Sequence, residues 1–209
     1  MRFLPLLSLM LVAFIACGAT TYYREASPET DSLQVWFCRA AACYGSGDAT
    51  GAINWFAHVA EIDPLFPGVL YNLGMAHSLA GDTLNAGACF RRQLDMQPED
   101  DASWRALGHI AMQGRRPHDA LMCYRNALLL APDEPAGLLG AGRAAYLTGD
   151  IAQALEYLEH GHAIDAEDAD IACSLGLLYR ETGREEEGRV LLELAARLGS
   201  REAFEFLRQ

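Results

Sequence analysis

The sequence predicts an all-α protein made of repeated helix–turn–helix units. Residues of similar size recur every 34 positions along most of the chain. Three glycine–aspartate pairs, at 47–48, 81–82 and 149–150, stand at matching places in this period. Each pair is typical of a left-handed glycine that ends one helix and an aspartate that caps the next. No window alternates between apolar and polar residues over the length of a strand, so we expect no β-sheet.

The repeat frame contains five units without insertions, at 33–66, 67–100, 101–134, 135–168 and 169–202. The third unit shows the pattern most fully, with Trp104, Leu107, Gly108, Ala111, Ala120, Tyr124, Ala127 and Pro132. This pattern resembles the tetratricopeptide repeat, in which small and large residues of two helices interlock. The resemblance implies a right-handed superhelical solenoid of five repeats followed by a short C-terminal helix.

The small residues of the repeats predict close contact between helices. Glycine in a helix interior costs about 1 kcal/mol relative to alanine, so its recurrence at one position needs a packing reason. We expect these glycines to face small alanines of the second helix. The glycines are Gly74, Gly108, Gly142 and Gly176, and the alanines are Ala86, Ala120 and Ala154. The fifth unit has Gly188 in place of this alanine and is expected to be looser.

The N-terminus predicts export and a lipid anchor. Arg2 precedes an apolar run of about 14 residues, which is too short for a spanning helix of about 20, so 1–16 is interpreted as a signal peptide. The residues that end at Cys17 resemble a bacterial lipobox, which implies lipidation of Cys17. An ordinary cleaved signal and an uncleaved anchor are the alternatives. The residue after Cys17 is Gly18 and not the aspartate that retains enteric lipoproteins in the inner membrane. This resemblance favours the periplasmic face of the outer membrane. Residues 17–32 are predicted to form a flexible tether.

Charge and composition exclude several function classes. The formal net charge is −12, whereas a nucleic-acid binder needs a basic surface. No Ser/His/Asp or Cys/His set, phosphate-binding glycine loop or metal motif is present, so we expect no catalysis, cofactor or metal. His160 and His162 lie two apart, and their side chains on a helix diverge by about 200°. We expect them to be exposed or half-buried rather than ligands.

Five further cysteines, Cys38, Cys43, Cys89, Cys123 and Cys173, are expected to be small buried hydrophobic residues. A disulfide is the alternative in an exported protein. Cys89 and Cys123 occupy one position in adjacent repeats. Their predicted separation of about 10 Å exceeds the roughly 7 Å Cα limit for a disulfide.

The family resemblance also implies a partner-binding groove lined by the first helix of each repeat. The residues at groove positions are Phe37, Tyr44, Tyr71, Met75, Arg105, His109, Met112, Leu139, Arg143, Tyr146, Leu177 and Arg180. The aromatic and methionine side chains suit an apolar or helical segment of a partner. The three arginines suit acidic side chains or a free carboxylate. Alternatively, they balance neighbouring acids such as Asp170 and Glu181.

The last residues, 203–209, are predicted to form a short capping helix. We expect Phe204 and Leu207 to cover the fifth repeat and Phe206 to stay exposed. An incompletely covered end leaves contact with a second copy of the chain as a hypothesis.

The combination of lipobox and repeats resembles bacterial tetratricopeptide lipoproteins. It implies a non-catalytic scaffold with a protein or peptide partner. The Flp/Tad and type IV pilus assembly lipoproteins are the most similar in size, repeat number and tether, which suggests a secretin or pilus-assembly subunit as partner. The alternative is an adaptor that docks peptidoglycan enzymes.

Overall fold

The computed structural model describes residues 28–208, and these residues form helices and turns without a strand. The predicted all-α fold class is confirmed. The eleven helices are α1 Pro28–Gly45, α2 Ala49–Ile62, α3 Val69–Leu79, α4 Thr83–Met96, α5 Asp101–Gln113, α6 Pro117–Leu130, α7 Pro135–Thr148, α8 Ile151–Ile164, α9 Ala169–Glu181, α10 Glu185–Arg197 and α11 Arg201–Phe206.

The helices belong to two compact units. Unit 1 extends to Gln93 and unit 2 begins at Leu94, so the division falls inside α4. In unit 1, α1 packs on α2 and α2 on α3. In unit 2, α5 packs on α6, α6 on α7, α7 on α8, α9 on α10, and α10 on α11. None of the described helices is long and apolar enough to cross a membrane.

The three glycine–aspartate turns predicted from the sequence are confirmed. Each glycine is left-handed, with φ of +80° at Gly47, +77° at Gly81 and +86° at Gly149. In each case an aspartate carboxylate oxygen accepts a hydrogen bond from the backbone N–H three residues later. These bonds join Asp48 to Gly51 at 2.9 Å, Asp82 to Asn85 at 3.1 Å, and Asp150 to Gln153 at 3.1 Å.

The turn between α5 and α6 differs from these three. Arg115 stands where the other turns have glycine, and its φ of 55° makes it the one non-glycine residue with positive φ in the described chain. Arg116 then occupies the N-cap of α6 without a side-chain cap hydrogen bond. This turn therefore combines left-handed backbone strain with a missing cap.

Close helix contact at the repeat glycines is confirmed, and large side chains take part in it as well as the predicted small residues. A Cβ atom on Gly142 would lie 3.5 Å from the Ala154 carbonyl oxygen, and one on Gly176 would lie 3.0 Å from the Gly188 carbonyl oxygen. A Cβ atom on Gly74 would lie 2.7 Å from Phe90, and one on Gly142 would lie 2.7 Å from Leu158. These large residues stand four positions after Ala86 and Ala154, one turn further along the second helix. In unit 2 the buried Tyr124 ring lies against both Gly108 and Gly140, and a Cβ on Gly140 would overlap it. The glycines thus admit a large side chain from the neighbouring helix, whereas the alanines are themselves fully buried.

The N-terminal boundary differs from the predicted tether. Helix α1 begins at Pro28, five residues before the predicted repeats, so 28–32 is helical rather than part of a tether. Proline suits the first turn of a helix because its missing N–H would be unpaired there. The predicted signal peptide 1–16, Cys17 and the rest of the tether to residue 27 lie outside the described residues.

The C-terminal helix, Arg201–Phe206, begins two residues before the predicted range 203–209. Ser200 is its N-cap, and the Ser200 hydroxyl oxygen accepts a hydrogen bond from the Ala203 N–H at 3.3 Å. The predicted roles of its apolar residues are wrong. Ala203 is buried and Phe206 packs on the core of α9 and α10, whereas Phe204 is 53% exposed and Leu207 is 40% exposed. Residues three apart share a helix face. Because Ala203 and Phe206 face the core, Phe204 and Leu207 point away from it.

All five cysteines of the described chain are free. Cys173 is buried, Cys43, Cys89 and Cys123 are half-buried, and Cys38 is exposed, which corrects the expectation for Cys38. Burial raises the pKa of the Cys89, Cys123 and Cys173 thiols.

The histidine pair on α8 follows the expectation. His160 is exposed, with Nε2 3.0 Å from the Asp133 carboxylate, and His162 is half-buried.

Candidate functional site

Unit 2 contains an open cavity of about 500 Å³ between the first helices of successive helix pairs and α11. Helices α7 and α9 supply most of its lining, and α5, α8 and α11 contribute Met112, Leu158 and Glu202. The lining residues are Met112, Gly142, Arg143, Tyr146, Leu147, Leu158, Asp170, Ser174, Leu177, Leu178, Glu181 and Glu202. We call this cavity the unit 2 groove.

Polar contacts join the α7 and α9 walls of the groove. The Tyr146 hydroxyl donates a hydrogen bond to Glu181 at 2.8 Å, and this bond raises the pKa of Tyr146. The Arg143 guanidinium donates through Nε to the Ser174 hydroxyl at 3.0 Å. It also lies 3.5 Å from the Asp170 carboxylate. These contacts position the groove side chains relative to one another.

Apolar atoms form the rest of the groove. Leu158 and Leu178 are buried, and Gly142 lies so close to Leu158 that a Cβ would clash with it. Leu177 is half-buried, while Leu147 is 59% exposed at the edge. The groove therefore offers partly exposed apolar surface beside charged side chains, the combination that peptide-binding surfaces use.

The charge of the groove is negative. Asp170, Glu181 and Glu202 face a single guanidinium, Arg143, which leaves two formal negative charges. The Asp170 side chain is 70% exposed, and its carboxylate lies 3.5 Å from Arg143.

The structure brings together four of the residues predicted from the sequence: Met112, Arg143, Tyr146 and Leu177. Four other predicted residues of unit 2 are not among the lining residues. Arg105 lies 3.2 Å from Asp101 and 3.4 Å from Glu134, and Arg180 lies 3.3 Å from Glu185 and 4.7 Å above the Phe206 ring. His109 contacts Gln113 at 3.1 Å, and Leu139 packs against the core.

The four predicted residues of unit 1 pack largely against their own unit. Phe37 lies 5.2 Å from both Phe56 and Phe66 between ring centroids, and Tyr71 lies 5.6 Å from Phe90. Tyr44 packs against the same core, and Met75 is half-buried. A role for these residues in partner binding stays a prediction.

Eight groove residues were missing from the predicted site: Gly142, Leu147, Leu158, Asp170, Ser174, Leu178, Glu181 and Glu202. Three of them, Leu147, Asp170 and Glu181, occupy groove positions of the repeat frame, so the frame itself contained the signal. The sequence-based alternative assigns the two acids, Asp170 and Glu181, to charge balance for the arginines. Glu202 follows α10, where the repeat frame assigns no groove position.

The groove combines apolar side chains with three carboxylates, one guanidinium and two hydroxyl groups. Its lining contains no histidine or cysteine, and the Ser174 hydroxyl donates to the Asp170 carbonyl oxygen at 2.7 Å. Within residues 28–208 no group of three or more His, Cys, Asp or Glu side chains is arranged to hold a metal ion.

The comparisons with known proteins agree with the repeat fold. A tetratricopeptide repeat family model matches residues 67–100. Cytochrome c-type biogenesis protein CycH of Bradyrhizobium diazoefficiens is 26% identical over 129 residues, which cover 60% of this chain and 35% of CycH. Tetratricopeptide repeat protein 36 of Mus musculus is 37% identical over 108 residues, which cover 50% of this chain and 58% of that protein. The matched regions thus span less than two thirds of either relative.

Solved structures of the same fold cover most of the chain. The structure of pilF from Pseudomonas aeruginosa has a TM-score of 0.75 at 16% identity and covers 84% of this chain and 80% of its own. YrrB, described as a tetratricopeptide protein with an unusual peptide-binding site, has a TM-score of 0.67 at 16% identity. The match covers 88% of this chain and 99% of the YrrB chain. Residues 67–100 therefore match a tetratricopeptide repeat, and the solved structures show the same helical repeat fold over most of the chain.

Proposed function

We propose that this chain is a non-catalytic scaffold that holds a segment of a partner protein in the unit 2 groove. The observation that carries the proposal is the open cavity of about 500 Å³, lined by apolar side chains and four charged ones. A segment with one or two apolar anchors fits such a surface, because apolar contact supplies affinity while a few polar groups fix the orientation.

The envelope complex that we propose for this scaffold is a pilus or secretion channel. The lipobox-like sequence at Cys17 supports lipid anchoring at the periplasmic face of the outer membrane. The likeness to the pilF structure supports the repeat architecture that such a role needs. In this proposal the lipid on Cys17 holds the chain at the membrane while the groove binds a secretin or pilus-assembly subunit.

A second candidate is a part in cytochrome c biogenesis. The match with CycH over 129 residues favours it, because this relationship appears in the sequence itself. The groove would then hold a segment of a protein of that system. Docking of peptidoglycan enzymes is the third outcome that the same experiment distinguishes.

Affinity capture with matched variants tests the function. The tagged full-length chain is isolated from its own cell envelope in mild detergent, beside Tyr146→Ala and Leu129→Ala, and the captured proteins are identified by mass spectrometry. Tyr146 lines the groove and is 41% exposed, whereas Leu129 is 82% exposed and does not line it. We expect Tyr146→Ala to lose the specific partner and Leu129→Ala to retain it.

The identity of that partner decides between the candidates. A secretin or pilus subunit supports the first, a cytochrome c assembly protein the second, and a murein enzyme the third. Equal capture by both variants would contradict binding in the groove.

The lipid anchor has its own test. We expect Cys17→Ala to release the chain from membranes, as measured by fractionation with an outer-membrane marker. Continued sedimentation of Cys17→Ala with the outer membrane would contradict the anchor.

A further inference from the structure

We infer that the unit 2 groove selects a cationic segment, in which an apolar anchor is flanked by arginine or lysine. This inference rests on the proposed function and specifies the chemistry of the partner. It reverses the expectation from the sequence, in which arginines of the groove attract an acidic segment.

The first ground is that the predicted arginines already contact acids of the chain. Arg143 is held by Ser174 and Asp170, Arg105 by Asp101 and Glu134, and Arg180 by Glu185. An acidic ligand would have to displace these contacts or approach the carboxylates beside them. Only Arg143 among the three lines the groove.

The second ground is that two groove carboxylates have capacity for a cation. Glu181 accepts one hydrogen bond, from the Tyr146 hydroxyl, and lies outside every ion pair of the described residues. Glu202 stands in the first turn of α11 and lines the same groove, again outside those ion pairs. A carboxylate has room for about four hydrogen bonds, so each can accept a guanidinium or ammonium without losing a present contact.

The third ground is the field of the whole chain. The formal net charge is −12, and this field raises the encounter rate of cationic ligands with the protein. Apolar side chains beside the acids, Met112, Leu147 and Leu177, supply the contact that a fully charged peptide would lack. Charge and shape together therefore favour a basic segment with an apolar anchor.

Selection from random peptides tests the inference without assuming a partner. Purified full-length chain in detergent micelles is presented to a displayed library of random 12-residue peptides, and bound peptides are counted by sequencing. The same selection is run on Tyr146→Ala, on the double variant Glu181→Gln/Glu202→Gln, and on the control Glu186→Gln. Glu186 lies on α10 in an ion pair with Arg189 and does not line the groove.

We expect peptides enriched in arginine or lysine beside a large apolar residue. For these peptides the double variant should weaken binding about 10-fold at low salt, and the effect should shrink as salt screens the charges. Glu186→Gln should bind like the unmodified chain.

Two outcomes would overturn different claims. Groove-dependent peptides that are acidic, or that bind the double variant equally well, would overturn the cationic preference while leaving the groove as a binding site. Enrichment of no peptide that depends on Tyr146 would overturn the proposed function itself.

Discussion

The groove positions of the repeat frame serve different purposes in the two units. In unit 1, Phe37 turns its ring towards Phe56 and Phe66, so a predicted groove residue completes the core. In unit 2, Tyr146 is 41% exposed and lines an open cavity with Arg143 and Leu177. A repeat position therefore determines the direction in which a side chain leaves its helix. The neighbouring side chains determine whether that side chain is buried in the core or exposed in a groove.

The largest effect expected from this comparison is on stability. Phe37→Ala should lower the free energy of unfolding by about 2–3 kcal/mol, because it removes a half-buried ring from the unit 1 core. Tyr146→Ala should cost less than about 1 kcal/mol, because it removes an exposed ring and one exposed hydrogen bond. Urea denaturation followed by circular dichroism measures both. Equal losses would show that Tyr146 is as much a core residue as Phe37.

The second prediction concerns the contact that supports the groove helices. Gly140→Ala should destabilise the chain by about 1–3 kcal/mol, because its Cβ would overlap the ring of Tyr124. In unit 1, Gly87→Ala meets only the flexible end of Arg91 at 3.4 Å and should stabilise α4 by up to about 1 kcal/mol. The two substitutions should thus shift the urea midpoint in opposite directions. A gain from both would mean that Tyr124 moves away without cost.

The third prediction is a pH dependence that arises in unit 2. Burial raises the pKa of Tyr124 to about 12 from its ordinary value of 10.0. The unfolded chain therefore ionises this phenol first, so the stability from burying it is complete below pH 10 and is lost between about pH 10 and 12. In Tyr124→Phe, the fall in the free energy of unfolding between about pH 10 and 12 should be smaller by about 2 kcal/mol. Denaturation midpoints across that range measure it, and parallel profiles for both proteins would refute it.

The smallest effect is expected at the turn that departs from the other glycine–aspartate turns. Arg115→Gly should stabilise unit 2 by about 0.5–1 kcal/mol, because glycine adopts the positive φ without strain. Arg116→Asp should add about another 1 kcal/mol by supplying the missing N-cap. Thermal melting of the single and double variants tests both, with Gly149→Arg as the reverse change in a turn of standard composition. Stabilisation by Gly149→Arg would contradict the role assigned to the glycine.

These turns also show what the sequence predicts well. Left-handed glycines and aspartate caps depend on local geometry, so the pairs at 47–48, 81–82 and 149–150 determined their conformation without help from distant residues. The same holds for the helix content and for Ser200 as the cap of α11.

Other features depended on contacts that the repeat frame does not contain. The frame assigns the direction of a side chain from its helix and so predicts Phe37 in the groove, because nothing local indicates that Phe66 packs beside it. Phe206 packs on the core instead of Phe204 because of the rotation of the six-residue helix α11 about its axis. The sequence pattern of so short a helix does not determine this rotation. Glu202 reaches the groove only through that same helix.

We propose that the partner binds in the unit 2 groove and not at the predicted groove residues of unit 1, such as Tyr71. The most direct measurement places a photo-crosslinking amino acid at Tyr146 or at Tyr71 in the full chain and irradiates the intact envelope. We predict a discrete crosslinked adduct from position 146 and none from position 71. An adduct from position 71 alone, or equal adducts from both, would contradict the claim.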